Sequence, residues 1–188
     1  MSNLPELPIH PAPRARPAGG VRVLISYVTA GTGHRRAAEA IAEAVRRRDP
    51  QAQVCCVDLL TYVPAWLRWA YPRIYAAFVR FLPFAWGWAY YLFDRRRPGR
   101  LYQPWRRRWN RLMTKRFARW LAAERPDVVV STHFFPTDVL AALRRSGRLP
   151  ARFLVVITDL FPHRLWLSPE ADVVVVASDR TRRACEQR

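Results

Sequence analysis

Apolar residues along the chain form short continuous runs that alternate with segments of helical spacing. The apolar runs cover residues 21–28, 53–59, 127–132, 153–158 and 172–177. Runs of this length, separated by helical patterns at 34–48 and 137–145, are typical of buried parallel strands joined by helices. The pattern therefore predicts an α/β fold, a Rossmann-like open sheet that is mainly parallel and carries helices on both faces.

The segment 62–93 interrupts this alternation with an unusual density of aromatic residues. It contains thirteen of the twenty-four aromatics of the chain and only three charged residues. The stretch 94–119 that follows carries eleven basic residues and one acidic residue. The longest uncharged stretch, 81–93, is shorter than the ~20 residues that a membrane-spanning helix needs. An aromatic belt beside a basic cluster is instead typical of a segment in a membrane interface.

We therefore expect an insertion at 62–120 that associates with anionic membrane lipids. The residues predicted to meet the membrane are Trp66, Trp69, Trp86, Trp88, Arg95, Arg96, Arg97, Arg106, Arg107 and Arg108. Two alternatives remain open, additional helices on the core or an interface with a partner chain. Arginines interleaved with tryptophans could also stack on single-stranded nucleic acid, but no RNA-binding or DNA-binding motif accompanies them, so nucleic acid is the weaker prediction.

Composition limits the chain to one main domain with an anionic partner. The 188 residues suit a single core, and the net charge of +18 comes almost entirely from arginine. Residues 1–20 hold five of the sixteen prolines and predict a disordered tail, which leaves 21–188 as the folded domain. The three cysteines lack the spacing of metal ligands, so no metal site is predicted.

The candidate chemistry lies where predicted strands end. The sequence Gly31-Thr32-Gly33-His34 follows the first strand and opens the first helix, which aims backbone N–H groups and a positive helix end at one point. A histidine there suits a general base beside a phosphate-bearing substrate. The chain has neither the third glycine of the dinucleotide fingerprint nor a P-loop lysine.

Two further polar clusters follow later strands. Thr132-His133 ends one strand and Thr158-Asp159 ends the next, with His163 four residues beyond Asp159. The carboxyl ends of parallel strands share one edge of the sheet, so we expect all three clusters to meet there. Asp159 and His163 are close enough in sequence to pair across a turn, in which case the carboxylate would fix the tautomer of the imidazole.

Together, these motifs resemble a known family of sugar transferases. The segments are 29–34, 132–136 and 158–166, and they occur with the long aromatic insertion after the second strand. They are similar to the N-terminal domain of monogalactosyldiacylglycerol synthases and of the related processive diacylglycerol glucosyltransferases. The resemblance implies the N-terminal half of a two-domain GT-B glycosyltransferase. It also implies a peripheral protein at the cytoplasmic face of the cell membrane that transfers a hexose from a UDP-sugar to diacylglycerol.

The resemblance also implies a role for individual residues. His34 would remove the proton from the acceptor hydroxyl, and Gly31, Thr32 and Gly33 would shape the loop near the donor phosphates. The acceptor side of the cleft would be lined by His133, Pro136, Asp159, His163 and Trp166. No cofactor is implied beyond the UDP-sugar substrate.

The end of the chain at Arg188 predicts that the donor-binding domain of the family is missing. On this interpretation the chain would be inactive alone and could require a separate donor-binding chain. The alternative is a non-catalytic lipid-binding module that keeps the fold. The resemblance implies that the contacts which discriminate galactose from glucose belong to the other domain.

Overall fold

The computed structural model describes residues 20–82, 84, 102–160 and 162–187. The predicted tail at 1–20 lies outside these residues except for Gly20. The strands are β1 (Arg22–Tyr27), β2 (Gln53–Asp58), β3 (Val128–Ser131), β4 (Arg152–Ile157) and β5 (Val173–Val176). The α-helices are α1 (Gly33–Arg48), α2 (Ala65–Phe81), α3 (Tyr102–Met113), α4 (Lys115–Glu124), α5 (Phe134–Arg145) and α6 (Asp179–Glu186). Short 3₁₀ turns occupy Leu59–Tyr62 and Arg164–Trp166.

The five strands form one parallel sheet in the order β2-β1-β3-β4-β5. The chain passes from β1 outward to β2 and then returns to the other side of β1 to form β3. The order therefore reverses between β1 and β3, and open α/β sheets bind their ligands at such a switch point. The predicted open, parallel, Rossmann-like sheet is confirmed.

Helices cover both faces of this sheet because alternate strand residues point to opposite sides. On one face, Leu24 and Val28 belong to a large core that includes Phe117 of α4 and Leu140 of α5. On the other face, Val23 and Ile25 pack with the small residues Ala38 and Ala42 of α1. Each fully buried large apolar side chain contributes about 1.5–3 kcal/mol to folding, so both faces contribute to stability.

Helix α4 lies within the predicted membrane insertion at 62–120 but packs on the core. Phe117 is fully buried and its ring lies 5.7 Å from that of Tyr62 and 6.0 Å from that of Trp120. The helix is amphipathic and turns its apolar side toward the sheet, so its aromatic residues are core rather than lipid contacts. This part of 62–120 follows the open alternative of additional helices on the core.

Strand β5 differs from the prediction of a buried strand. Val173, Val174 and Val175 are each 40–46% exposed. Among the described strands, β5 lies at the edge of the sheet and pairs only with β4. An edge strand has a neighbour on one side only, which is why an apolar run that predicts burial is here partly open to solvent.

Candidate active site

The loop after β1 delivers His34 to the switch point of the sheet. Gly31 has φ +99°, a left-handed backbone conformation that side chains disfavour, and it redirects the chain into α1. Thr32 occupies the N-cap position but makes no capping hydrogen bond through its side chain. The first backbone N–H groups of α1 therefore have no side-chain cap from Thr32, which leaves them available to an anion at the helix N-terminus.

His34 is held by the ends of two other strands. Its Nδ1 lies 2.8 Å from the backbone carbonyl oxygen of Thr132 and 2.9 Å from Oγ1 of Thr158. The hydroxyl of Thr132 in turn donates to the carbonyl oxygen of His34 at 3.0 Å. A carbonyl oxygen can only accept, so Nδ1 must carry the ring proton in the neutral imidazole. Nε2 then holds the lone pair, and it has no partner among the residues that the structure describes.

The two neighbouring histidines have the opposite tautomer. Nδ1 of His133 accepts the backbone N–H of Phe135 at 3.0 Å, and Nδ1 of His163 accepts that of Leu165 at 3.1 Å. An Nδ1 that accepts has no proton, so the neutral ring carries its proton on Nε2. Of the three histidines, only His34 therefore presents Nε2 as a base.

His133 lies deepest of the three and stays neutral. Burial lowers its pKa well below the ordinary value of 6.5, and the nearby His34 and His163 lower it further. The ring of His133 lies 4.5 Å from that of His34 in an edge-to-face arrangement. A neutral ring at this position supports His34 by packing and adds no positive charge beside it.

Trp166 and Asp159 close the floor of the site. The indole of Trp166 is completely buried, 6.1 Å from the ring of His34, and its Nε1 donates to Oδ2 of Asp159 at 2.8 Å. The sequence predicts that Asp159 pairs with His163 and thereby fixes the tautomer of the His163 ring. The structure assigns that role to the N–H of Leu165, and it gives the Asp159 carboxylate the indole of Trp166 as a partner.

His34 lines two cavities. One, of about 510 Å³, lies at the strand ends beside Gly31, Gly33 and the ends of β4 and β5. The other, of about 380 Å³, lies between α2 and the start of α5. Asp159 and Tyr75 also border both cavities. His34 therefore lies between the glycine loop before α1 and a cavity of largely aromatic walls.

The aromatic wall of the second cavity is the part that the sequence did not identify. On α2 it includes Trp66, Leu67, Ala70, Tyr71, Ile74 and Tyr75, of which the sequence predicts a role only for Trp66, as a membrane residue, and Phe134 adds a further ring. Tyr71 also stacks on Phe135 at 5.8 Å, which attaches α2 to α5. The spacing of Leu67, Tyr71 and Ile74 marks one face of a helix and was the available signal. Pro136, predicted on the acceptor side, is buried in the first turn of α5 and does not line this cavity.

The predicted membrane residues fall into three groups. Trp66 and Trp69 are 54% and 62% exposed on α2, and the guanidinium of Arg73 lies 4.5 Å above the Trp69 ring. Arg108 is exposed, whereas Arg106 forms an ion pair with Asp138 at 3.0 Å and so faces α5 rather than a lipid surface. The side chain of Arg107 and the residues Trp86, Trp88, Arg95, Arg96 and Arg97 lie outside the described residues.

The described residues show neither a metal-binding cluster nor a membrane-spanning helix. They contain no cluster of three or more His, Cys, Asp or Glu side chains arranged to hold a metal ion. No helix in the same part of the chain combines the length and apolar character needed to cross a bilayer.

Comparison with known proteins identifies relatives of the chain. Residues 34–188 match the family model described as monogalactosyldiacylglycerol (MGDG) synthase. Proteins named processive diacylglycerol beta-glucosyltransferase from Bacillus thuringiensis (strain Al Hakam), Bacillus cereus (strain AH187) and Bacillus anthracis (strain A0248) are each 32% identical over 69 residues. That match covers 37% of this chain and 17% of each relative.

No solved structure matches the chain at a significant level. The family match includes His34 and both later strand-end clusters, and it covers most of the chain. The resemblance drawn from the sequence motifs is thereby confirmed: the chain belongs to the monogalactosyldiacylglycerol synthase family.

Proposed function

We propose that this chain forms the acceptor-binding part of a glycolipid synthase, which transfers a hexose from a UDP-sugar to diacylglycerol at a membrane surface. The observation that carries the proposal is the tautomer of His34. Its Nδ1–H is held by the Thr132 carbonyl, which leaves the Nε2 lone pair free beside two cavities. The family and the names of the relatives supply the reaction class.

In the proposed reaction, the primary hydroxyl of diacylglycerol approaches Nε2 of His34 from the aromatic cavity. Its oxygen attacks the anomeric carbon of the hexose as the bond from that carbon to the diphosphate oxygen breaks. The hydroxyl proton passes to Nε2, and UDP leaves with the electron pair of the broken bond. A positioned base of this kind contributes about 10²–10⁴-fold to a rate.

The two cavities fit the two substrates of this reaction. Acyl chains need apolar walls, which Leu67, Tyr71 and Phe134 offer. A diphosphate needs N–H donors and a positive helix end, which the loop Gly31-Thr32-Gly33 and the uncapped start of α1 offer. Asp159 and His163 border the aromatic cavity and would contact the acceptor near its hydroxyl.

Attachment to the membrane is assigned to α2. It exposes Trp66, Trp69 and Phe81, and its only charged residues are arginines. Helices with exposed aromatics and basic side chains lie in membrane interfaces over anionic lipid. We place the protein on the cytoplasmic face of the cell membrane, with the donor-binding part of the synthase supplied by further polypeptide or by a separate chain.

The test is a transfer assay with the full chain, vesicles that contain diacylglycerol, and UDP-glucose or UDP-galactose. The donor-binding half of a relative is added in a parallel set. His34→Ala is expected to reduce hexose transfer by about 10²–10⁴-fold, while vesicle binding by sedimentation stays unchanged. Unaltered turnover of the variant would remove the role of His34 as base.

A second candidate is a lipid-binding module without transferase activity. The exposed aromatic face of α2 favours it independently of His34. Vesicle binding without transfer from either donor, even when the donor half is supplied, would support this alternative. Tighter binding to oligonucleotides than to anionic vesicles at physiological salt would contradict both candidates.

A further inference from the structure

A third cavity lies between α3 and α4 on one side and α5 on the other, and it shares no lining residue with the two cavities at His34. It has a volume of about 470 Å³ and is here called the basic groove. Its apolar lining comes from Ala118 and Ala122 of α4 and from Val139, Ala142 and Leu143 of α5. The basic groove is therefore an apolar channel between two helices.

Four cationic side chains border the basic groove, and none of its lining residues is acidic. The cations are Arg111, Lys115, Arg119 and Arg148, and all four are exposed. Within the described part of the chain the first three make no ion pair, and Arg148 donates to the hydroxyl of Ser146 at 3.0 Å. Asp138 of α5 is already bound by Arg106 at 3.0 Å and by Asn110. The positive charge of the groove is therefore available to a partner from outside.

Three of these cations form a row along one edge of the groove at intervals of one helical turn. Arg111, Lys115 and Arg119 are each four residues apart, which is about 6 Å along a helix axis. The helical pattern continues through the junction between α3 and α4, because the N–H of Thr114 donates to the carbonyl oxygen of Asn110 at 2.9 Å. The row therefore has the period at which a second helix presents side chains on one face.

Charge, spacing and apolar surface together select the class of ligand. A small anion is too short to span the row of cations, and a lipid headgroup concentrates its charge at one point. A nucleic acid matches the row with its phosphates but leaves the apolar walls uncovered. An amphipathic helix with acidic side chains one turn apart matches both features, since its apolar face packs between α4 and α5 while its carboxylates meet the cations.

The small side chains of the groove suit a helix, because alanines on both walls allow a helix axis to approach within the about 8–10 Å of ordinary helix packing. A second copy of this chain is a poor occupant, since a net charge of +18 on each copy opposes their association. Helix α1 carries Glu39 and Glu43 one turn apart, but these carboxylates already pair with Arg35 and Arg47. The charge complementarity therefore favours a different, acidic protein.

We propose that the basic groove binds an acidic amphipathic helix of a partner protein. Apolar side chains of that helix lie between α4 and α5, and its carboxylates pair with Arg111, Lys115 and Arg119. The apolar contacts hold the complex, whereas the complementary charges speed association and fix the orientation of the helix. The proposal goes beyond the proposed transferase and depends neither on hexose transfer nor on membrane binding.

The probe is a synthetic peptide of about 18 residues, because isolated helices shorter than roughly 12–15 residues are marginal in water. It carries leucines in the i, i+3, i+4, i+7 pattern, glutamates one turn apart beside this leucine face, and alanine elsewhere. A second peptide has the same composition with the leucines distributed around the helix. A third has glutamine in place of every glutamate. Fluorescence anisotropy measures the binding of each labelled peptide to the full chain.

The first variant tests the apolar channel. Ala122→Phe narrows the groove without changing its charge, and we expect it to weaken binding of the amphipathic peptide by about tenfold or more, because an apolar anchor loses its place. Ala123→Phe is the matched control, since Ala123 is the exposed neighbour that does not line the groove. The control should bind as the unmodified chain does, and circular dichroism verifies that both variants are folded.

The second variant tests the row of cations. Lys115→Gln with Arg119→Gln should weaken binding by about threefold to tenfold at low salt, since exposed ion pairs are individually weak. The difference from the unmodified chain should shrink as salt is raised, because salt screens exposed charges. Arg48→Gln with Arg116→Gln removes two exposed cations outside the groove and should leave the affinity unchanged.

Four results would overturn the proposal. The unmodified chain could fail to bind the amphipathic peptide, or it could bind all three peptides equally. The groove variants could bind as their controls do. A single-stranded oligonucleotide or a monomeric short-chain phosphatidylglycerol could bind more tightly than the peptide and lose affinity in the groove variants. Because none of these measurements involves hexose transfer or vesicles, failure of this proposal is distinguishable from failure of the proposed function.

Discussion

The strand-end cluster around His34 and the helix α2 face the same cavity but are built in opposite ways. In the cluster, backbone groups hold the ring nitrogens: Thr132 binds His34, Phe135 binds His133 and Leu165 binds His163. Helix α2, by contrast, has no buried residue along its seventeen positions and exposes several large apolar side chains. The fold therefore holds the cluster around His34 in place, whereas helix α2 leaves large apolar side chains exposed.

The contrast separates two requirements of the proposed reaction at a membrane. Proton transfer needs a nitrogen of the right tautomer at a fixed place, which the carbonyl oxygen of a strand end provides. Contact with lipid needs apolar area and allows considerable freedom in detail, which exposed tryptophans on one helix provide. Substitutions in the two regions should therefore differ in kind, with stability and tautomer affected in the first and vesicle affinity in the second.

The largest expected effect on stability is at Trp166, in the fixed region. Trp166→Ala removes a completely buried indole and leaves the Asp159 carboxylate without its N–H donor, so we expect a loss of about 3–5 kcal/mol of unfolding free energy. Urea denaturation measures it. Trp69→Ala on α2 is the matched control and should cost less than about 0.5 kcal/mol, because that ring is mostly exposed. Equal costs for the two tryptophans would remove the contrast between the regions.

The next largest expected effect is on vesicle binding, through helix α2. Replacing Trp66 and Trp69 together with alanine should weaken binding to anionic vesicles by about tenfold or more, because the proposed membrane surface loses two exposed aromatic rings. Vesicle sedimentation measures the affinity. Val173→Ala with Val175→Ala removes exposed apolar groups at the sheet edge and serves as the control. If vesicle affinity of the tryptophan variant stayed undiminished, α2 would not be the membrane surface.

The smallest effect is the pH dependence that His133 introduces. Its pKa in the folded chain lies below the ordinary 6.5, so the unfolded chain binds the extra proton first. The stability contribution is therefore complete above pH 6.5 and falls as the pH drops below that value, by up to about 1.4 kcal/mol per pH unit. His133→Asn keeps an acceptor for the N–H of Phe135 and should flatten this slope.

Urea midpoints for the unmodified chain and the Asn variant, at pH values on both sides of 6.5, measure the difference. His34 and His163 are present in both proteins, so the difference between the two slopes reports on His133. Parallel slopes would show that His133 is not the group that resists protonation.

The sequence predicts the place of His34 but not its state. Gly31 and the strand before it identify the turn, because local geometry determines where the helix begins. The tautomer depends on a carbonyl 98 residues away in the chain, and no local pattern encodes that contact. Because parallel strands end at one edge of the sheet, the sequence predicts that the three strand-end clusters meet. It does not predict the individual hydrogen bonds between them, which depend on tertiary packing.

Trp166 and α4 illustrate a second limit. The sequence predicts that Trp166 lines the cleft, but its side chain is completely buried and its indole N–H donates to Asp159. The aromatic and basic composition of helix α4 predicts that it belongs to the membrane insertion. Composition does not state which face of a helix meets the sheet, and Phe117 packs in the core.

The proposed function depends above all on the tautomer of His34, and nitrogen NMR of the imidazole rings measures that tautomer. At a pH of about 8, where an ordinary imidazole is neutral, the ¹⁵N shifts of a labelled sample distinguish a protonated ring nitrogen from one with a lone pair. Single histidine substitutions assign the signals. We predict that His34 carries its proton on Nδ1, whereas His133 and His163 carry theirs on Nε2. A His34 ring protonated on Nε2 would rule out its proposed role as base, because Nε2 would have no lone pair for the proton of the acceptor hydroxyl.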